Sequence, residues 1–127
     1  RMKIDFSDLI GIPFLEFGRN PKTGLDCYGL AIEVEKRYGK KLNDVALEKF
    51  DRQKVQQSLP KINVQKTDAI EESCILEFYG KKDNRLHIGI AITKDLFIQA
   101  TENQGVRISS VKTASQYLTL ANIYKVI

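Results

Sequence analysis

DCYGLAIEVEKRYG, residues 26–39, is the stretch on which the fold turns. Within it Cys27, Leu30, Ala31, Val34 and Tyr38 fall at i, i+3, i+4, i+7 and i+11, one apolar stripe of helical period. Asp26 stands before the stripe as an N-cap and Gly39 follows it as a C-terminal stop, so the spacing predicts a helix opening at about Cys27. On the N-terminal side, Gly18, Asn20, Pro21 and Gly24 mark a loop. KIDFSDLI at 3–10 reads as a short amphipathic turn or helix, ended by Gly11 and Pro13. On the C-terminal side, residues 43–59 read as a second helical region capped by Asn43, with Leu47, Phe50, Val55 and Leu59 as its apolar side. The phase breaks between Phe50 and Val55, so two short helices fit as well, and Pro60 closes the region.

Beyond residue 73 the pattern changes. CILEFY at 74–79, LHIGIAI at 86–92, LFIQA at 96–100, GVRISSV at 105–111 and ANIYKVI at 121–127 are short runs rich in β-branched and aromatic residues, most of them separated by polar or glycine-bearing turns. Helices first and a meander of strands afterwards predict an α+β domain, its N-terminal helices packed on an antiparallel sheet of about five strands. TKD at 93–95 reads as a tight hairpin turn, which sets residues whose numbers sum to about 188 opposite one another. His87 and Gln99 are then diagonal neighbours on one face. Gly89 and Ala91 share that face, small enough to leave space for a helix end.

The composition excludes several kinds of chemistry. A chain of 127 residues reads as a single domain spanning 1–127. One histidine and two cysteines, with no C-x-x-C or H-x-x-x-H spacing, do not make a zinc site, and no metal or cofactor is expected. Lys and Arg number 20 against 16 Asp and Glu, a mild net +4 spread along the chain without a stripe of stacking aromatics, so nucleic acid is not an expected partner. No apolar run approaches the ~18 residues of a membrane span. No basic-then-apolar leader opens the sequence, and Arg1 ahead of Met2 reads as an added residue.

What survives is a cysteine nucleophile served by a single histidine, or no such chemistry. A thiol in the first turn of a helix sits where free N–H groups and the macrodipole favour negative charge, and such placement is expected to lower its pKa into a range of about 3.5–7.5. The same N–H groups can form part of an oxyanion hole. His87, on a strand facing that helix end, would act as the base, with Gln99 on the next strand holding the ring in one tautomer. On spacing alone, a cysteine on an apolar stripe is more often a small buried hydrophobe, and a strand histidine more often a hydrogen-bonded ring than a base. Cys74, inside CILEFY with no helix end beside it, reads as core.

The motifs carry a resemblance. GIPFLEFGRNPKTGLDCYGLAIEVEKRYGKKL at 11–42 resembles the nucleophile segment of the NlpC family of papain-like cell-wall cysteine peptidases, with Asp26-Cys27-Tyr28-Gly29-Leu30 as its D-C-x-G-aliphatic core. Leu86-His87-Ile88-Gly89-Ile90 resembles the family's histidine strand, Phe97-Ile98-Gln99-Ala100 the strand of the third polar residue, and Gly105-Val106-Arg107-Ile108 the strand after it. The resemblance implies a papain-like fold and hydrolysis of amide bonds in peptidoglycan stem peptides between D-γ-glutamyl and a diamino acid. It implies Cys27 as nucleophile, His87 as base and acid, and Gln99 as the residue orienting His87. Asp26, Tyr28 and Phe14 are expected at the oxyanion or substrate. GIPF and GR before an aromatic D-C-Y-G are closer to the phage and prophage tail-associated branch, which implies phage tail proteins as partners and an extracytoplasmic or virion location after delivery. Three positions depart from the family pattern. Glutamine replaces the commoner histidine at 99, Glu72-Ser73 replaces Gly-Asp, and Phe14 is nearest to an upstream tyrosine whose hydroxyl is therefore missing. Two other classes stay open: a tail-tip assembly protein with weak or no hydrolysis, and a related cysteine amidase, acyltransferase or antibacterial effector.

Overall fold

Asp26 starts the first helix by accepting the Gly29 N–H at 2.7 Å, the hydrogen bond an N-cap carboxylate makes to one of the donors a helix leaves free. In the computed structural model this helix, α1, runs Cys27–Arg37. Gly39 ends it at φ +77°, where a side chain would be strained. The structure describes residues 3–127. Arg1 and Met2, and with them the reading of Arg1 as an added residue, lie outside the described residues.

Eight strands, two further short α-helices and one 3-10 turn (Leu59–Lys61) complete the described residues. β1 (Arg19–Asn20) and β2 (Gly24–Leu25) form a small hairpin ahead of α1. After α1 come α2 (Arg52–Ser58), β3 (Val64–Thr67), β4 (Ile75–Gly80), β5 (Leu86–Ala91), β6 (Leu96–Thr101), β7 (Gly105–Ser110), α3 (Val111–Ala114) and β8 (Leu118–Val126). The main sheet has six strands in the order β3-β8-β4-β5-β6-β7, all pairings antiparallel. The expected count of about five omits β3, whose exposed Gln65 and Lys66 hide its alternation. The 93–95 turn holds the expected register, with Ile90 opposite Ile98 and Ala91 opposite Phe97.

Each face of the sheet buries a cluster. Leu30, Ala31 and Val34 of α1 are fully buried against Leu86, Ile88, Ile90 and Ile98. Each such leucine, valine or isoleucine side chain stabilises the fold by about 1.5–3 kcal/mol relative to exposure. On the opposite face Phe78, Ala91, Phe97, Ala114 and Leu118 pack together, with Phe78 and Phe97 rings 5.1 Å apart. Gly89 belongs to that second face: a Cβ there would stand 2.4 Å from the Phe97 ring. Its small size therefore makes room for Phe97 and not, as expected, for a helix end.

Of the two stretches that flank α1, the one read as turn or helix takes the turn form, and the one read as helical differs. Residues 7–11 form turns, pinned by Phe6 and Leu9 in the core and by a two-pronged Arg37–Asp8 ion pair at 2.6 Å. In the 43–59 region α2 is the only α-helix, followed by a 3-10 turn at Leu59–Lys61, and it is capped by Asp51 and not by Asn43. Residues 40–48 cross the molecule as an irregular strap that buries Leu42 and Leu47. The strap's backbone bonds outward: Asn43 O accepts from Tyr28 Oη at 2.5 Å, Val45 O from Arg19 Nη2 at 3.2 Å, and Lys49 O, just past it, from the Leu86 N–H at 2.8 Å. With two of its carbonyls claimed by other elements and the next one by β5, the segment has no reason to close a helical ladder. Among the described residues no helix is long and apolar enough to cross a membrane.

Candidate active site

Three elements converge on one cavity of about 400 Å³. Its wall holds Cys27 from the start of α1, His87 from β5, Gln99 from β6 and Phe14 from the entry loop. Cys27, His87 and Gln99, sixty or more residues apart in part, are thereby brought together as the sequence reading expects. The helix geometry leaves the Cys27 and Tyr28 N–H groups without intrahelical acceptors.

The histidine is oriented through a short chain. His87 Nε2 lies 2.7 Å from Gln99 Oε1, and Gln99 Nε2 donates to Ser109 Oγ at 2.7 Å. An amide oxygen only accepts, so Nε2 carries the ring proton and Nδ1 is left as the lone-pair nitrogen. Burial, with help from Lys49, Arg85 and Arg107, pushes the His87 pKa down to about 4 against the opposing bond to Gln99. The imidazole is therefore neutral at physiological pH.

Cys27 departs from the expected behaviour. It is almost fully enclosed, and burial pushes its thiol up rather than down. Lys49 and a backbone bond from Ile88 favour the thiolate, and Asp26 opposes it. Desolvation outweighs these attractions, so the resting pair is thiol and neutral imidazole.

The side chains of two residues expected at the oxyanion or substrate are directed elsewhere. Asp26 is 1% exposed, and its carboxylate is committed to the Gly29 and Phe17 N–H groups, to Arg19 at 2.8 Å and to Lys49 at 3.0 Å. It builds the site's frame and does not line the cavity. Tyr28 points its hydroxyl to Asn43 O and lies away from the cavity against the strap. Phe14 does line it.

Lys49 is the residue that sequence reasoning missed. Its side chain is 4% exposed, its ammonium bonds Glu16 at 2.8 Å and Asp26 at 3.0 Å, and it lies 5.2 Å from the Phe14 ring centre. A buried lysine leaves no signature in a stretch read as amphipathic helix, where position 49 looks like an exposed charge. The cavity's outer wall carries Lys81, Lys82 and Arg85, the last paired with Glu16 and Glu102. Among the described residues no three His, Cys, Asp or Glu side chains gather to hold a metal ion.

Comparison with known proteins agrees with this geometry. Among solved structures, the chain is similar to the NlpC/p60 domain of the peptidoglycan hydrolase SagA, with a TM-score of 0.62 at 17% identity over 94% of this chain and 91% of that one. It is also similar to a Staphylococcus aureus protein described as similar to lipoprotein, NLP/P60 family, with a TM-score of 0.61 at 19% identity. That match covers 99% of this chain but only 43% of the other. These likenesses show the fold, a papain-like α+β arrangement. A search of curated proteins finds no match. The NlpC/P60 family model matches residues 11–123, from the entry loop through the helix end, the histidine strand and most of β8, and the chain belongs to that family.

Proposed function

We propose that the chain is a cysteine endopeptidase that hydrolyses amide bonds in peptidoglycan stem peptides, between D-γ-glutamyl and a diamino acid. The observation that carries this reading is one cavity holding Cys27 at a helix end and His87 with Nδ1 free, the ring fixed by Gln99. Membership of the NlpC/P60 family supports the cell-wall substrate class.

The chemistry follows from the resting protonation. As Cys27 Sγ attacks the scissile carbonyl, its proton passes to His87 Nδ1 and the carbonyl π pair moves onto oxygen. When the oxyanion collapses, the C–N bond breaks and Nδ1–H protonates the departing amine. Water then adds to the thioester, giving a proton to Nδ1, and the C–S bond breaks to return the thiol. The first-turn N–H groups of α1 are the donors available to the oxyanion, each typically worth about 10²–10³ in rate.

The finer assignment to a phage tail, with a virion or extracytoplasmic location and tail proteins as partners, rests on the GIPF, GR and aromatic D-C-Y-G resemblance. The experiment is a muropeptide digest read by mass spectrometry, with Cys27→Ala as control. Cleavage of the D-γ-glutamyl bond by the native chain and none by Cys27→Ala is the expected result. A digest in which both cleave alike overturns the mechanism, and a native chain that cleaves nothing favours a tail-tip assembly role.

A further inference from the structure

A lysine ammonium has three donors, and two of those on Lys49 are accounted for by Glu16 and Asp26. Those two carboxylates fix the ammonium in place, and it lines the same cavity as Cys27 and His87. It stands 5.2 Å from the centre of the Phe14 ring, which lines the same cavity and offers no hydroxyl. The other cation on the wall, Arg85, is more exposed, at 21% against 4%, and is shared between Glu16 and Glu102. A charge shielded from water acts more strongly on its neighbours.

We propose that Lys49 is a catalytic residue: its ammonium stabilises the negative charge that forms first on Cys27 Sγ and then on the carbonyl oxygen of the substrate. The assignment rests on Cys27 being the nucleophile. The charged groups that act on the thiol are Lys49 and Arg85, which favour the thiolate, and Asp26, which opposes it, with Lys49 the strongest of the three. Arg107, on β7, acts on His87 in the same sense as Lys49 and Arg85. A cation here is felt little by the neutral resting pair. Once charge separates it favours the anion on sulfur and then oxygen and disfavours the His87 imidazolium, and a catalytic role requires the first effect to be the larger. That is the differential stabilisation a catalyst requires.

The test reads alkylation of Cys27 by iodoacetamide against pH, quantified at the Cys27 peptide by mass spectrometry so that Cys74 does not contribute. Lys49→Met is expected to move the alkylation midpoint up by about 1–3 pH units. On a muropeptide it is expected to lower kcat by about 10²–10³ with KM changed less than about threefold, and Lys49→Arg to restore most of both. Glu16→Gln keeps the hydrogen bond but removes a neutralising charge, so its midpoint is expected to move down. An unchanged midpoint in folded Lys49→Met overturns the assignment. If Lys49→Met does not fold, because Asp26 loses a partner, Glu16→Gln decides: no downward movement overturns it. Alkylation needs no substrate, so a native chain that cleaves no muropeptide counts against the peptidase reading alone.

Discussion

Gln99 holds the His87 ring through an oxygen that carries no charge, and Ser109 holds Gln99 in turn. Nothing in that chain stabilises an imidazolium as a carboxylate would, which is why burial and three nearby cations take the ring down to about 4. In the proposed mechanism His87 therefore remains a competent base to well below the pH at which a free imidazole protonates, and the acid limb of kcat/KM is expected near pH 4 rather than 6.5. The chain has one histidine, so an NMR titration of the ring protons reads this group without assignment, and a midpoint near 6.5 sinks the account. Gln99→Glu should raise both the midpoint and the acid limb together by about 1–3 pH units, because a carboxylate 2.7 Å from Nε2 favours the charged ring. At this scale the sequence was informative for Cys27, His87 and Gln99, because a helix cap and a hairpin register are local properties. It was silent on the raised thiol, since burial is set by the whole fold, and on Lys49, since a lysine in a stretch that reads as amphipathic helix looks like an exposed charge.

α1 shows how an element places a reactive atom. The helix is positioned by what approaches its first turn: Asp26 caps it, Arg19 bridges Asp26 to Asp44 and Val45 of the strap, and Gly29 lets the Gly18 carbonyl come close. A Cβ on Gly29 would stand 2.0 Å from Gly18 O, a backbone atom that cannot swing aside. Helix propensity alone would make Gly29→Ala stabilising by up to about 1 kcal/mol. The close contact reverses the sign, and the variant is expected to lose about 1–3 kcal/mol in chemical denaturation and to loosen the loop that frames Cys27. A Gly29→Ala protein as stable as the native one would mean that this loop yields freely. The same contact explains the glycine of D-C-x-G, which reads in the sequence only as a motif letter. The sheet was legible for a different reason: β4 to β7 are short, apolar and bounded by turns, whereas residues 43–50 set Leu47 and Phe50 among charges at an i, i+3 spacing that imitates a helix. Their carbonyls are instead claimed by Tyr28 and Arg19, contacts that no local pattern announces.

Across the whole molecule, two buried ionisable groups act on stability with opposite sign. Glu35 on α1 is fully buried with both carboxylate oxygens lacking hydrogen-bond partners, and burial pushes its pKa up to about 7 despite the attraction of Lys40. Glu77, equally deep, is met by Tyr79 Oη at 2.5 Å, Tyr124 Oη at 2.8 Å and Asn122 Nδ2 at 3.0 Å, and so has what Glu35 lacks. A raised carboxyl stabilises the fold below its unfolded value of 4.5, and that contribution is lost as pH climbs through 7. His87 runs the other way: its depressed value stabilises the fold above 6.5, and the contribution is lost as pH falls toward 4. The two shifts are of similar size, each on the order of 3 kcal/mol at full effect, and their windows overlap between about pH 4.5 and 6.5. The native chain is therefore expected to show nearly the same urea midpoint at about pH 5 and about pH 6.5, a flatness made by cancellation. Removing either group should expose the slope of the other. Glu35→Gln leaves His87 alone, so stability should rise with pH across that window, while His87→Asn leaves Glu35 alone, so stability should fall. Parallel, flat profiles for all three proteins would show that neither group changes protonation on unfolding, and the neutral thiol–imidazole pair inferred for the site would lose its electrostatic basis along with them.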